Sequence, residues 1–237
     1  MTAFPSVDKA DGYIKAVISG EIKACKWIKL ACKRHRKDIR ESKKKTYPYK
    51  YDKQAAERVC KFIQMLPHTK GKWARNTELL VLEPWQCFFI CSVFGWKRKS
   101  DNMRRFRRAE LFVPRKNGKS ALAAAIGLYM LAADHEAGAE VLVGATSEKQ
   151  ALEVFKPASI MAKRTPEFTD FYGVEVFASN ISIAENGSKL EPIIGDPGDG
   201  ASPSLGVVDE YHEHKTDALL DTLETGMGAR EQPLILM

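Results

Sequence analysis

Residues 111–120 read Leu-Phe-Val-Pro-Arg-Lys-Asn-Gly-Lys-Ser, and an alanine-rich apolar stretch, Ala121 to Ala133, follows them. Leu111–Val113 reads as a buried strand, the next residues as a tight turn, and the apolar stretch as a helix. A strand, a glycine-containing turn and Gly-Lys-Ser at a helix start form a phosphate cradle. Backbone N–H groups at the helix N-terminus converge on an anion, and the helix dipole favours its charge. In such a loop Gly118 lets the backbone come close, Lys119 reaches the β- and γ-phosphates, and the Ser120 hydroxyl holds Mg²⁺. Arg115, Lys116, Asn117 and Ala121 complete the candidate nucleotide-contacting set, and Arg115 is also a candidate catalytic residue at the lip of the loop. The match to G-x-x-x-x-G-K-[ST] is imperfect, because Val113 stands where the first glycine belongs.

Downstream, Ser204-Leu205-Gly206-Val207-Val208-Asp209-Glu210 reads as an apolar strand that delivers two adjacent carboxylates at its C-terminal end. Ligands bind at that end of an open α/β sheet. Asp209 is the candidate Mg²⁺ ligand beside Ser120, and Glu210 the candidate general base for an attacking water. Solvated acids in a loop are the plainer reading of such a pair. Its position 90 residues after Lys119, with βα units between, favours the two halves of one ATP site. A glutamate directly after the aspartate points to the P-loop class that carries a catalytic glutamate.

Around these segments, Val141–Val143 and Leu234–Met237 read as further strands and 147–164 as a helix. Residues 174–194 read as a β-meander, with Asn186-Gly187 as a hairpin turn rather than a glycosylation acceptor. Strands alternating with helices predict a mostly parallel sheet covered on both faces. Pro84 opens a helix running to about Gly95. Residues 9–40 read as one amphipathic helix, 42–50 as a basic loop and 52–66 as a second amphipathic segment. The expected organisation is an N-terminal basic helical region over 1–78 and an α/β P-loop ATPase core over 79–237.

Charge divides the chain unevenly. Residues 1–108 hold 27 Lys/Arg against 10 Asp/Glu, and 109–237 hold 10 against 20. Such asymmetry suits a basic surface that meets a polyanion, with segments 23–50 and 97–108 as its candidates; solvated basic faces are the alternative. No apolar run reaches the roughly 18–20 residues of a membrane span and no signal-peptide pattern opens the chain, so a soluble cytosolic protein is expected. Five cysteines without a C-x-x-C pair suit free, mostly buried thiols in a reducing compartment.

Glu83-Pro84-Trp85-Gln86 lies upstream of the phosphate loop. A glutamine amide both donates and accepts, so Gln86 can pair with an adenine edge. Trp85 either stacks on the base or packs in the core. His212-Glu213-His214 offers alternating imidazoles without a third or fourth ligand, so it reads as a polar loop beside the nucleotide, with His212 a candidate γ-phosphate sensor.

Taken together, these segments resemble the large terminase subunits of tailed double-stranded DNA phages, over roughly residues 79–237. That family's adenine motif matches Pro84-Trp85-Gln86, and its phosphate loop, often lacking the first glycine and opening on an arginine, matches Arg115 onward. Gly144-Ala145-Thr146-Ser147-Glu148-Lys149-Gln150-Ala151 is similar to the family's segment between a core strand and the next helix. Val208-Asp209-Glu210-Tyr211-His212 resembles its Walker B strand and continuation. The resemblance implies a P-loop fold of the additional-strand, catalytic-glutamate type and an ATPase that moves double-stranded DNA. It also implies a portal protein and a small terminase subunit as partners, a ring of five copies, and a place in the host cytoplasm, transiently on the procapsid. The family's coupling motif would begin at about Met237 and its nuclease domain is not in these residues, so the chain is expected to be either a fragment or a naturally truncated form, cut before both. A helicase-like P-loop ATPase that remodels nucleic acid, and a fragment that binds nucleotide without turnover, are the alternatives.

Overall fold

In the computed structural model, which describes residues 3–194 and 200–237, the chain forms two compact units. One unit takes residues 1–64 and 81–106, the other 65–80 and 107–237. The division falls elsewhere than the expected 78/79 boundary, because the Pro84 helix is apolar all round and belongs at the centre of the helical unit.

The first unit contains α1 (Pro5–Ser19), α2 (Lys26–Glu41), β1 (Tyr49–Tyr51) and α3 (Lys53–Gln64). After the short α4 (Gly71–Arg75) of the other unit, it resumes with α5 (Pro84–Gly95) and β2 (Trp96–Arg98). Seven of the twelve residues of α5 are buried, among them Phe88, Ile90 and Phe94. A helix of that kind must be surrounded, and α1 and α3 both pack on it. The single helix expected over 9–40 is two. Gly20, in the left-handed region at φ 89°, ends α1, and α2 starts after Cys25. The N-terminus of α1 has no side-chain cap of its own. The buried carboxylate of Glu57 serves instead, accepting from the backbone of Ser6 (2.9 Å) and Val7 (3.2 Å) and from the Ser6 hydroxyl (2.9 Å). β1 and β2 form a small antiparallel pair. All five cysteines are free, and all but Cys25 are buried.

The second unit carries β3 (Arg108–Ala109), α6 (Lys119–Ala132), β4 (Glu140–Ala145), α7 (Glu148–Lys163), α8 (Pro166–Tyr172) and β5 (Val174–Val176). It continues with β6 (Ile181–Ile183), β7 (Ser188–Ile194), β8 (Leu205–Val208), α9 (Ala218–Gly226) and β9 (Leu234–Leu236). Its sheet has the order β3-β9-β8-β4-β7-β6-β5. The pairs from β3 to β7 are parallel, and β6 and β5 add on antiparallel. Thus β9, the strand after Asp209-Glu210, lies between the strand that leads to the phosphate loop and the strand that delivers the carboxylates. That insertion is the additional-strand arrangement. The central strands are buried along their length, as a parallel sheet covered on both faces requires. Gly187, at φ 71°, makes the expected turn between β6 and β7.

The strand expected at 111–113 is a correction. The ladder of β3 covers Arg108 and Ala109, and beyond it the Leu111 N–H donates to the Met237 carbonyl at 2.7 Å. Among the described residues this segment follows an edge strand with one strand neighbour, and Phe112 is 85% exposed rather than buried. Among the described residues, no helix is long and apolar enough to cross a membrane.

Candidate functional site

The phosphate loop runs from the end of β3 to the first turn of α6. Two of its residues take the left-handed conformation, Lys116 at φ 68° and Gly118 at φ 76°. Glycine adopts it freely, whereas a lysine there costs about 1 kcal/mol and must be held by its surroundings. Asn117 supplies part of that hold: its amide Nδ2 donates to the carbonyls of Pro114 (3.0 Å) and Arg115 (3.3 Å), closing the turn on itself. Gly118 is the N-cap of α6, so Lys119, Ser120 and Ala121 occupy the helix's first turn with their N–H groups free of intrahelical partners. Arg115, Lys116 and Asn117 are exposed, and Lys119 and Ser120 are half-buried.

The other half of the site comes from β8. Buried Leu205–Val208 pairs with β4 on one side and β9 on the other, which fixes where the strand ends. Past the ladder, the Asp209 N–H donates to the Gly144 carbonyl at 3.3 Å. Glu210 then turns sharply, with φ 48° and ψ 47°, a conformation a glutamate rarely adopts, and its N–H donates to Asp209 Oδ1 at 3.0 Å. The turn aims Glu210 at the phosphate loop, where Oε1 accepts from Lys119 Nζ at 2.9 Å. The candidate base and the candidate phosphate-binding lysine, 91 positions apart, therefore meet.

The two carboxyls have opposite environments. Burial pushes the Asp209 carboxyl above the ordinary carboxylate range, despite its backbone hydrogen bond and nearby Lys119. Glu210 is pulled below that range, first by its hydrogen bond to Lys119, and also by the charges of Lys119, His212 and Arg115. Partial desolvation of the Asp209 carboxylate is relieved by a cation, and Ser120 hydroxyl with Asp209 carboxylate is the hard-oxygen donor set that Mg²⁺ takes. These residues fit a divalent ion accompanying nucleotide phosphates.

A 3-10 turn, Tyr211–Glu213, follows Glu210. It places His212 Nδ1 3.5 Å from Glu210 Oε2 and His212 Nε2 4.0 Å from Glu213 Oε1. His212 thus faces the Glu210 carboxylate, and His214 instead stacks on Tyr211. The alternating imidazoles do not converge; the group whose ligand atoms lie within 4.8 Å of one another is Glu210, His212 and Glu213.

The segment after β4 reaches the same turn. Ser147 caps α7 by accepting from the Gln150 N–H at 3.4 Å, and the Gln150 side chain spans outward. Its Nε2 donates to Glu213, and its Oε1 accepts from the Thr146 and Ser147 hydroxyls. In the sequence, this segment stands out only by its likeness to a family. The Ser147-x-x-Gln150 spacing is a cap signature, but the bridge to Glu213 joins residues 63 apart and has no local signal.

Trp85 and Gln86 lie in the helical unit, in the first turn of α5, and both are half-buried. Gln86 has a local role: its Oε1 accepts from the Glu83 N–H at 2.9 Å, half of a capping box that Glu83 completes. The Glu83-x-x-Gln86 spacing carries that signal as well.

Two arginines of segment 97–108, Arg104 and Arg105, are tied into the protein, which corrects the expectation of a basic surface for those two, whereas Arg107 and Arg108 are exposed. Arg104 is buried, its guanidinium over the Phe94 ring. Arg105 Nη1 lies 2.6 Å from buried Asp38, and its guanidinium lies over Tyr49. Arg107 donates to the Glu231 carbonyl, and Arg108 pairs with Glu110 and Glu224. In segment 23–50, Lys26, Lys29, Lys33, Arg36, Lys37 and Arg40 of α2 are all exposed.

Comparison with known proteins agrees with this geometry. Residues 84–237 match the family described as terminase large subunit, ATPase domain. The chain is 28% identical over 194 residues to the large terminase subunit of Enterobacteria phage HK97, covering 76% of this chain and 36% of that protein. A 38-residue stretch is 71% identical to protein YmfN of Escherichia coli K12, covering 16% of this chain and 8% of that protein. The crystal structure of the HK97 large terminase superposes with a TM-score of 0.62 at 26% identity, over 76% of this chain and 36% of that one. The chain therefore spans about a third or less of the length of these relatives.

Proposed function

This chain belongs to the family of terminase large subunit ATPase domains, and from that premise we propose that it is the ATP-hydrolysing part of a motor that drives double-stranded DNA into a phage procapsid. The observation that carries the reading is the 2.9 Å contact of Lys119 and Glu210 across the mouth of an additional-strand sheet. Phosphoryl transfer to water needs little covalent chemistry from a protein; it needs placement and charge.

Each residue then has a task. Backbone N–H groups at the start of α6 and the Lys119 ammonium bind the phosphates. Ser120 and Asp209 would hold Mg²⁺, which supplies positive charge to the phosphate oxygens. Arg115, exposed at the loop's lip, adds charge on the γ-phosphate side. Glu210 orients the attacking water and accepts its proton. While Lys119 donates to Glu210, that carboxylate is a poor base. Transfer of Lys119 to phosphate releases Oε1 for water, so substrate binding itself readies the base. For Trp85 and Gln86 as adenine contacts, the support is the likeness of Pro84-Trp85-Gln86 to the family's motif.

Double-stranded DNA, a portal protein, a small terminase subunit and a five-membered ring of copies are the partners this reading assigns, on the strength of the family. Phosphate release from MgATP, measured with and without random-sequence duplex DNA, tests it. Turnover that duplex DNA accelerates is expected. Turnover indifferent to duplex but raised by single-stranded nucleic acid would favour a helicase-like ATPase, and nucleotide binding without turnover would favour a non-catalytic domain.

A further inference from the structure

The two oxygens of the Glu210 carboxylate have different partners. Oε1 accepts from Lys119, a residue with a second task at the phosphates. Oε2 faces His212 Nδ1 at 3.5 Å. His212 is in turn flanked by Glu213, 4.0 Å from its other ring nitrogen. Glu213 is held by the Gln150 amide, and Gln150 is fixed on its far side by Thr146 and Ser147 at the end of β4. These contacts link the N-terminus of α7 to Glu210 through three intervening side chains, and none of them is in the phosphate loop.

Resting on the reading of Glu210 as general base, we propose that His212 is the positioning residue for that base, itself held by Glu213 and Gln150. The need for one follows from the geometry. Glu210 sits in a strained left-handed turn at a strand end, with its side chain about a quarter exposed. Once Lys119 turns to the phosphates, Oε1 loses its partner and the side chain is free to change rotamer unless Oε2 is retained. An imidazole N–H directed at Oε2 keeps the carboxylate plane fixed and leaves Oε1 toward the water. Glu213 flanks the other ring nitrogen at 4.0 Å, and its hydrogen bond from Gln150 stops it from swinging away. The other charges near Glu210, Lys119 and Arg115, lie on the phosphate side and cannot do this.

The test compares the 237-residue chain with its His212→Ala, His212→Gln and Gln150→Ala variants. Single-turnover hydrolysis and the affinity for a fluorescent ATP analogue are measured for each. His212→Ala should lower the hydrolysis rate roughly 10- to 100-fold, a part of the 10²–10⁴ that a general base contributes, with analogue affinity within about twofold of wild type. His212→Gln, which keeps an N–H donor, should recover most of the rate, and Gln150→Ala should give a smaller loss of the same kind. An unchanged rate in His212→Ala, or an equal loss of rate and affinity, would overturn the proposal while leaving Glu210 as the base. Absence of hydrolysis by the wild-type chain would overturn the reading of the site itself and the proposal with it.

Discussion

Arg115 is the residue whose role depends most on what lies outside the loop. Its carbonyl is held by Asn117, so its backbone is fixed, and its side chain projects from an exposed turn. Its charge also contributes to lowering the Glu210 carboxyl, so it acts on the same volume as Lys119. Arg115→Ala should therefore reduce turnover by roughly tenfold or more and leave ADP binding within about twofold, because ADP lacks the γ-phosphate this side chain would meet. Stopped-flow ADP binding beside phosphate release checks this, and normal turnover would place Arg115 as an ordinary solvent-facing arginine. Most of the site is legible at this scale. Gly-Lys-Ser and Asp-Glu are each short, but each chemical type is required where it stands. One side-chain task is not legible there, the Gln150–Glu213 bridge, because it joins residues 63 apart and its geometry exists only once the turns have formed.

Among the elements, α2 is readable as amphipathic, yet its buried face holds two polar side chains, His35 and Asp38, that periodicity alone does not explain. Trp96 Nε1 donates to His35 Nδ1 at 3.2 Å, so that nitrogen must be unprotonated. Burial lowers the His35 pKa from 6.5 to about 4. Between those values the unfolded chain takes up a proton that the folded chain refuses, so stability is full above about pH 6.5 and falls as pH drops towards 4. The loss from this one group is on the order of 3 kcal/mol. Urea unfolding followed by tryptophan fluorescence at pH 7 and pH 4.5 should show it, and His35→Gln should flatten the pH dependence. An equally steep dependence in that variant would mean that other groups carry the acid sensitivity. The misread strand at 111–113 has a similar cause. An apolar triplet is a strand only where neighbours complete its ladder, and an edge position is a property of the sheet order, which the triplet does not encode.

At the scale of the whole molecule, the parallel core, the meander and the βα alternation are all visible as changes of period along the chain. The division into units is not, because Val81–Phe106 joins helices distant in sequence. Charge counts carry a similar ambiguity: Arg104 and Arg105 add to a basic total but are used in packing and in pairing Asp38. The exposed stripe Lys29, Lys33, Arg36 and Arg40 on α2 is the better candidate for phosphate contact. Replacing these four with alanine should weaken random-duplex binding and flatten its log–log salt dependence, by about 0.9 per phosphate no longer neutralised, with thermal stability nearly unchanged. Arg105→Ala should do the reverse, destabilising the helical unit by about 3–5 kcal/mol by leaving Asp38 without its ion partner. Fluorescence anisotropy across a salt series, beside thermal melts, separates the two. An unaltered slope in the α2 variant would direct this face to a protein partner.

The central claim is that Lys119 and Glu210 are the binding and hydrolysing halves of one ATP site. Its most direct measurement sets nucleotide affinity beside phosphate release for the wild-type chain, Lys119→Ala and Glu210→Gln under identical conditions with duplex DNA present. Lys119→Ala should lose turnover together with much of its ATP affinity, since it removes charge that meets the phosphates. Glu210→Gln should bind ATP at least as well as wild type, because Lys119 is then released from its ion pair, and should lose hydrolysis by about 10²-fold or more, since an amide does not accept the water's proton. Equal losses of affinity in the two variants, or undiminished hydrolysis in Glu210→Gln, would contradict the account.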